Sequence, residues 1–232
     1  MVHKWSTFSF AVLVCLLATG VAIAKVQGVQ IPQISASVDS SGGSPTDQQN
    51  QELQQIANKA ATTSRAQYQM IVRLLGAQKN YQPPTFTIAI TYDYKGVAGT
   101  AHDHTDVSAN YALKHPDDIP GVMVHELTHV VQHYTHKSPG WLVEGIADYV
   151  RWYNYEPVSK RHTPHASRAE ATGSYQTTAN FLDWAVKTYN KNLVKQLNQE
   201  LYDGTYTDDS WPKLTGHTLD QLNTEWKQTL PP

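Results

Sequence analysis

One short segment combines three side chains that can bind a metal ion and activate water. His125 and His129 are four residues apart, and Glu126 follows the first of them. On a helix this spacing places both imidazoles on one face, about 6 Å apart along the axis, so both can bind one ion at about 2 Å. Glu126 lies at the edge of that face, where it can take a proton from a metal-bound water without binding the metal. The segment predicts a hydrolytic Zn²⁺ site with Glu126 as general base.

The residues around this motif favour a metal site over the alternative of two solvated histidines. The helix carries many apolar residues next to the motif, namely Val122, Val124, Leu127, Val130 and Val131. Such a helix is expected to be largely buried, and two histidines in a buried helix need polar partners.

A third protein ligand is required, because a catalytic zinc site holds three protein ligands and a water. His133 lies two turns beyond His125, about 12 Å along the axis, which is too far to reach the same ion. A metzincin would have its third histidine at position 135, and His136 misses that position by one residue. The third ligand is therefore expected outside this helix.

Two acidic residues on the next predicted helix are the candidates for this ligand. Glu144 and Asp148 lie four residues apart on one face, where their charges repel each other unless a cation lies nearby. We assign Glu144 as the third ligand and Asp148 as the acceptor for the second ring N–H of a zinc-bound histidine. The alternatives are the reverse assignment and a solvated acidic face paired with Arg151.

The elements that position these residues are mostly helices. Helical periodicity covers residues 47–75, 119–134, 141–153, 175–189 and 193–202, and a last helix begins after an N-cap at Thr218. Phe86, Ile88 and Ile90 alternate with polar or small residues as in a half-buried strand. Glycines near residue 97 predict a hairpin, and residues 109–113 predict a further strand. Early strands and late helices predict a single α+β domain with a small mixed sheet.

The N-terminus predicts a cleaved signal peptide at residues 1–24. An almost wholly apolar run covers 8–24, and residues 22–24 are Ala-Ile-Ala, the small-residue pattern of a cleavage site. The alternative, a membrane anchor, is at the short limit for spanning a bilayer. Cys15 is the one cysteine, so the chain beyond the signal peptide forms no disulfide. We predict a secreted or periplasmic protein that is cut after Ala24.

Charge and composition exclude some partners. The chain has 18 Lys and Arg against 20 Asp and Glu, a formal charge of −2, so binding to nucleic acid or to an anionic membrane is not expected. Residues 25–46 form an extended segment and a Ser/Gly-rich linker, and 47–232 form the domain. A peptide or protein is the expected partner, as substrate, and the protein is expected to be a monomer.

Three segments in fixed order resemble a known family. They are GVMVHELTHVVQ at 121–132, GWLVEGIADYVR at 140–151 and GSYQTTANFLDW at 173–184. Together they resemble the plant basic secretory protein family and its bacterial relatives, described as zinc peptidases, over about residues 85–227. The resemblance implies a gluzincin-type zincin fold with His125, His129 and Glu144 as metal ligands and Glu126 as base. This chain departs from the family in its mildly acidic net charge, so we do not expect a role that depends on the family's basic surface.

Two further sets of residues have an open role. Tyr175, in the segment that matches the family, is our candidate for the group that hydrogen-bonds the developing oxyanion; the alternative is a packing tyrosine. The run His102-Asp103-His104 is either a second metal site or a solvated loop.

The sequence therefore predicts a secreted zinc metallopeptidase. It lacks the Gly-x-Met-Glu-Asn segment that binds a substrate amino terminus in one class of aminopeptidases, so we predict an endopeptidase. Two alternatives use the same residues: an extracellular zinc protein that binds a peptide or cell-wall ligand without cleaving it, and a hydrolase of non-protein amides.

Overall fold

A computed structural model describes residues 29–173 and 175–232 of the chain. The predicted signal peptide at 1–24, its cut after Ala24 and the cysteine lie outside the described residues. Within the described part, no helix has both the length and the apolar character needed to cross a bilayer.

The sheet has four strands in the spatial order β1-β2-β4-β3. Their bounds are β1 Gln33–Asp39, β2 Thr85–Thr91, β3 Ala98–Ala101 and β4 His104–Ser108. β1, β2 and β4 run parallel to one another, and β3 pairs antiparallel with β4 at one edge. The strand predicted from the alternation after residue 85 is confirmed as β2, whose Phe86, Ile88 and Ile90 are buried.

The N-terminal extended segment differs from the prediction. Residues 33–39 are extended as expected, but they form strand β1 and pair with β2 along its whole length. The sheet therefore begins ahead of Asp47, within the segment that the sequence analysis placed outside the domain. A strand of this kind is stabilised by pairing with residues far along the chain, which local composition does not reveal.

Two other predictions in this region are wrong. The hairpin turn lies at His102-Asp103, between β3 and β4, and not at the glycines near residue 97. The strand predicted at 109–113 is helix α2, Ala109–Lys114. Ser108 caps this helix by accepting the N–H of Tyr111, and its two buried residues, Ala109 and Ala112, are three apart. In six residues an alternation of apolar side chains fits either period, and the cap decides in favour of the helix.

Seven further α-helices complete the described fold. Their bounds are α1 Asp47–Leu75, α3 Ile119–Gln132, α4 Gly140–Asp148, α5 Tyr175–Thr188, α6 Leu193–Tyr202, α7 Ser210–Thr215 and α8 Leu219–Gln228. The five helices for which the sequence predicted both ends are present. Thr218 is the N-cap of α8, as predicted. Helix α7 was not predicted. The architecture is thus the mixed α+β class that the sequence predicted, with a small four-stranded sheet.

Helix α1 supports the helix that carries the metal-binding motif. A capping box of Thr46 and Gln49 begins α1, and Gly76 ends it in the left-handed conformation that glycine adopts without strain. One side of α1 packs against β1 and another against α3. Because β3 and α4 also pack against α3, this helix is buried on most sides, including Leu127 and Val130, so its position relative to the sheet is fixed by the core.

The helix that carries Glu144 and Asp148 changes from α-helical to π-helical geometry directly after Asp148. The prediction of one helix at 141–153 corresponds to α4, which continues without a break as a π-helical segment, Tyr149–Tyr155. π-helical turns are rare and often occur at functional sites. Helix α4 packs closely against α5 at Gly145, where a Cβ atom would overlap the methyl group of Thr178. This close contact sets the distance between the two helices.

Candidate metal centre

Helices α3 and α4 run antiparallel and bring three metal-binding atoms together. Nε2 of His125 and Nε2 of His129 are 3.1 Å apart. Oε2 of Glu144 lies 3.2 Å from each of these nitrogens. The side chains are 12%, 16% and 32% exposed respectively, so one side of the group remains accessible. The structure thus groups the two histidines with the acid that the sequence analysis assigned as third ligand.

The spacing of these atoms fits one tetrahedral metal ion. Bonds of about 2.0–2.1 Å in tetrahedral geometry place neighbouring ligand atoms about 3.3–3.4 Å apart. The observed separations of 3.1 and 3.2 Å are close to this value. Two imidazole nitrogens and one carboxylate oxygen are also a donor set that suits zinc. The three residues therefore fit a metal ion.

Both histidines are held from behind by polar partners. Nδ1 of His125 donates to Oδ1 of Asp148 at 2.7 Å. Nδ1 of His129 donates to Oε1 of Gln132 at 2.8 Å, and the amide nitrogen of Gln132 donates to the carbonyl of Val143 on α4. These bonds fix each ring with Nε2 toward the shared site, as outer partners of metal-binding histidines do. Asp148 accordingly lies behind the group, in the position predicted for it.

Hydrogen bonds around His125 and Glu144 favour the charged form of each side chain. Burial alone lowers the pKa of His125, but its hydrogen bonds with Asp148 and Glu144 outweigh burial and raise the pKa to about 9. Burial alone raises the pKa of Glu144, whereas hydrogen bonds from His125 and His129 lower it to about 2. The site favours a positive charge between these groups, which either a proton or a metal cation supplies.

Glu126 lies beside this group without belonging to it. The residue is only 6% exposed, and its Oε2 accepts a hydrogen bond of 2.7 Å from the hydroxyl of Thr100 on β3. Glu126 and the three metal-binding residues all line one open cleft of about 1480 Å³. A carboxylate in this position can exchange a proton with a water molecule in the cleft.

Tyr175 and Tyr94 are among the tyrosines that line the same cleft. Tyr175 is 53% exposed, and its ring centroid lies 6.1 Å from that of His125. The negative charge of Glu144 raises the pKa of Tyr175, so its hydroxyl keeps its proton as a donor. Tyr94, which the sequence analysis did not single out, donates to the carbonyl of Ala98 on β3 at 2.8 Å.

Arg151 does not pair with the acids of the metal centre, which excludes that alternative for Glu144. Its guanidinium pairs with Asp118, the N-cap residue of α3, and lies 3.9 Å from Glu156. It also stacks over the ring of Trp152, 4.2 Å from its centroid. These contacts join the start of α3 to the π-helical segment, so the two helices are tied together about two turns from the histidines.

The other histidines are not part of a metal group. His104 contacts Thr87 and Asp106, and among the described residues only His125, His129 and Glu144 form a group of potential ligands. The second metal site considered for residues 102–104 is therefore not found. His133 ends α3 in the left-handed conformation, and its ring contacts that of Tyr81 at 4.3 Å.

Sequence reasoning missed three residues that touch the site. Gln132 lies three residues after His129 on the same helix, so helical spacing alone indicates that the two can meet. Thr100 and Tyr94 lie on or near β3, and they reach the site only through the pairing of the sheet. No local pattern in the sequence marks them.

Comparison with known families agrees with the geometry. A family model described as "Peptidase of plants and bacteria" matches residues 29–226. No curated protein and no solved structure matches the chain significantly. The match covers the whole sheet, both helices of the metal centre and most of the chain, so the resemblance to plant basic secretory proteins and their bacterial relatives is confirmed. The chain belongs to this family of plant and bacterial peptidases.

Proposed function

We propose that this protein is a secreted zinc-dependent endopeptidase with a gluzincin-type zincin fold. One observation carries the proposal: the buried carboxylate of Glu126 lies in an open cleft directly beside three metal-binding atoms held 3.1 to 3.2 Å apart. A purely structural zinc site is normally closed by four protein ligands and has no use for an adjacent base.

His125, His129 and Glu144 would hold the ion. Zinc in such a site supplies a positive charge that polarises a peptide carbonyl and makes water more acidic. Asp148 and Gln132 keep the imidazoles oriented through their Nδ1 atoms. These outer bonds also keep Nε2 of each ring unprotonated and available as a ligand.

Glu126 acts as the base and then as the acid. Its carboxylate takes a proton from the attacking water and delivers it to the nitrogen of the leaving amine. Tyr175 is placed at the exposed rim of the site, where its hydroxyl can donate a hydrogen bond to the carbonyl oxygen as negative charge develops.

The dimensions of the cleft support cleavage within a chain. Both Asp118 and Gln132 line the cleft, and the stretch of α3 between them is about 21 Å long. An extended peptide advances about 3.3 Å per residue, so about six substrate residues fit along it. Because Glu126 lies within this stretch, substrate residues can bind on both sides of the reacting bond. We propose peptide or protein substrates, an extracytoplasmic location and a monomeric state.

A comparison of the parent protein with Glu126→Gln tests this function. Gln keeps the size of the side chain but cannot accept the proton, so hydrolysis of a mixed library of internally quenched peptides should fall by about 10²-fold or more. Zinc content, measured by mass spectrometry, should stay at about one ion per chain. Activity of the variant at the parent rate would refute catalysis at this motif. If the parent binds zinc and peptides but cleaves neither peptides nor simple amides, the non-catalytic alternative is correct.

A further inference from the structure

Two threonine hydroxyls form a hydrogen-bonded chain from the interior of the sheet to Glu126. Oγ1 of Thr105 lies 2.6 Å from Oγ1 of Thr100, which lies 2.7 Å from Oε2 of Glu126. Thr105 is fully buried, Glu126 is 6% exposed, and Thr100 lies between them at the wall of the cleft. A buried carboxylate needs hydrogen-bond donors, and in residues 29–173 and 175–232 the hydroxyl of Thr100 is the one that reaches it.

The register of the β3–β4 pair explains why the two threonines meet. The N–H of Ser108 donates to the carbonyl of Val97, and Thr100 lies opposite Thr105 in the ladder. Hydrogen-bonded and non-hydrogen-bonded pairs alternate in an antiparallel ladder, so Thr100 and Thr105 form a non-hydrogen-bonded pair. Side chains approach each other most closely in such pairs, which allows this direct contact.

The Glu126 carboxylate determines the direction of both hydrogen bonds. An ionised carboxylate only accepts, so Thr100 must give its single hydroxyl proton to Glu126. The same oxygen also lies 3.3 Å from the backbone carbonyl of Glu126, but that contact is longer and shares the one proton. Thr105 must therefore donate to Thr100. The result is an ordered pair of bonds that points toward the carboxylate.

We propose that Thr100, supported by Thr105, is a positioning residue for the base Glu126, an inference that rests on the proposed function. Thr100 engages Oε2 and fixes the rotamer of Glu126. Among the described residues Oε1 receives no hydrogen bond, so this oxygen is left to exchange the proton with water. The sheet edge thus sets the direction in which the base faces, independently of the helix that carries it.

Thr100→Val tests this role, because Val keeps the shape of Thr and removes the donor. We expect kcat per bound zinc to fall about 10- to 100-fold, since hydrogen bonds to charged groups have this strength. KM should change less than threefold. Thr100→Ser restores the hydroxyl and should recover most of kcat, which a loss of packing alone would not allow. Thr105→Val leaves the donor to Glu126 in place and should have the smaller effect.

A control and a structural measurement complete the test. Thr85→Val changes an exposed threonine of β2 and should leave kcat unchanged. A crystal structure of Thr100→Val should show the Glu126 carboxylate in a different rotamer, and Thr100→Ala replaces this variant if Val does not fold. If Thr100→Val keeps the parent kcat per zinc and its Glu126 rotamer is unchanged, while Glu126→Gln is inactive, the inference is wrong but the proposed function stands. Parent-rate activity of Glu126→Gln would instead overturn the proposed function.

Discussion

His125 and Asp148 are 23 positions apart in the sequence and are joined by a 2.7 Å hydrogen bond between two helices. Asp148 is 5% exposed, so this bond is shielded from water. It orients the imidazole of His125 and makes its Nε2 a stronger donor to a metal ion. Through this bond, the position of α4 affects how strongly His125 on α3 can bind a metal ion.

Asp148→Ala should therefore weaken zinc binding by about 10- to 100-fold without removing a ligand. The dissociation constant is measured by competition with a chelator of known affinity. Glu126→Gln is the matched comparison, because this side chain is outside the group of three metal-binding residues and acts on His125 only through its charge; it should change the constant less than Asp148→Ala does. Unaltered zinc affinity in Asp148→Ala would show that the bond to His125 does not contribute.

Metal removal should destabilise the protein, and more so at high pH. The raised pKa of His125 contributes stability that is complete below 6.5, the ordinary pKa of histidine, and is lost as pH rises through about 9. The lowered pKa of Glu144 contributes stability that is present above 4.5 and is lost as pH falls through about 2. Without zinc, Tm should thus fall between pH 6.5 and 9. With zinc it should fall less, because the ion replaces the proton.

Scanning calorimetry of the chelated and zinc-loaded protein at pH 6.5 and pH 9 measures this difference. The gap in Tm should be wider at pH 9, and adding zinc back should restore the loaded value. A gap that stays constant or narrows with rising pH would mean that the shared proton and the metal do not compete for the same three groups.

Gly145→Ala should disturb the metal centre through packing alone. The new methyl group overlaps the side chain of Thr178 on α5, and overpacking of this kind costs about 1–3 kcal/mol. Because Gly145 follows Glu144, a shift of α4 should also weaken zinc binding. Thr178→Ser removes the overlapping methyl group and should recover part of both losses in the double variant.

Gly140→Ala is the matched control for this substitution. It lies at the start of the same helix, and a Cβ atom there meets no other atom within 4 Å. Thermal unfolding and chelator competition should show no loss for Gly140→Ala. Equal losses in both glycine variants would trace the effect to the backbone of α4 and not to its contact with α5.

Tyr175→Phe should lower kcat by about 10²-fold with unchanged zinc content, because it removes one donor to the developing oxyanion. Tyr94→Phe provides the comparison, since the hydroxyl of this other cleft tyrosine already donates to the carbonyl of Ala98. Steady-state kinetics on one internally quenched peptide separate the two. Loss of kcat in Tyr94→Phe with normal turnover in Tyr175→Phe would transfer the role to Tyr94.

Local signals in the sequence predicted the metal centre and most helices. The spacing of His125 and His129, and of Glu144 and Asp148, depends only on helical periodicity, and the structure brings these residues together as expected. The bounds of α1 agree with the prediction because a cap and a glycine stop mark both ends.

Features that depend on strand pairing were not predictable in the same way. β1 shows no sign in its own residues that it pairs with β2, and the contact of Thr100 with Glu126 joins residues 26 positions apart across two elements. The short helix α2 was misread because six residues are too few to separate the two periodicities. In each case the deciding contact lies far away in the chain or in a capping residue.

The bond between Tyr94 and Ala98 also bears on self-association. Edge strands with free backbone groups invite pairing with another molecule, and β3 is a sheet edge that lines the cleft. The register places the carbonyl of Ala98 on the outward side of β3, where the hydroxyl of Tyr94 occupies it. With one acceptor blocked in a strand of four residues, a continuous ladder to a second copy is interrupted. The Tyr94 hydroxyl should thereby make β3 a poorer pairing partner for a second strand than a free sheet edge would be.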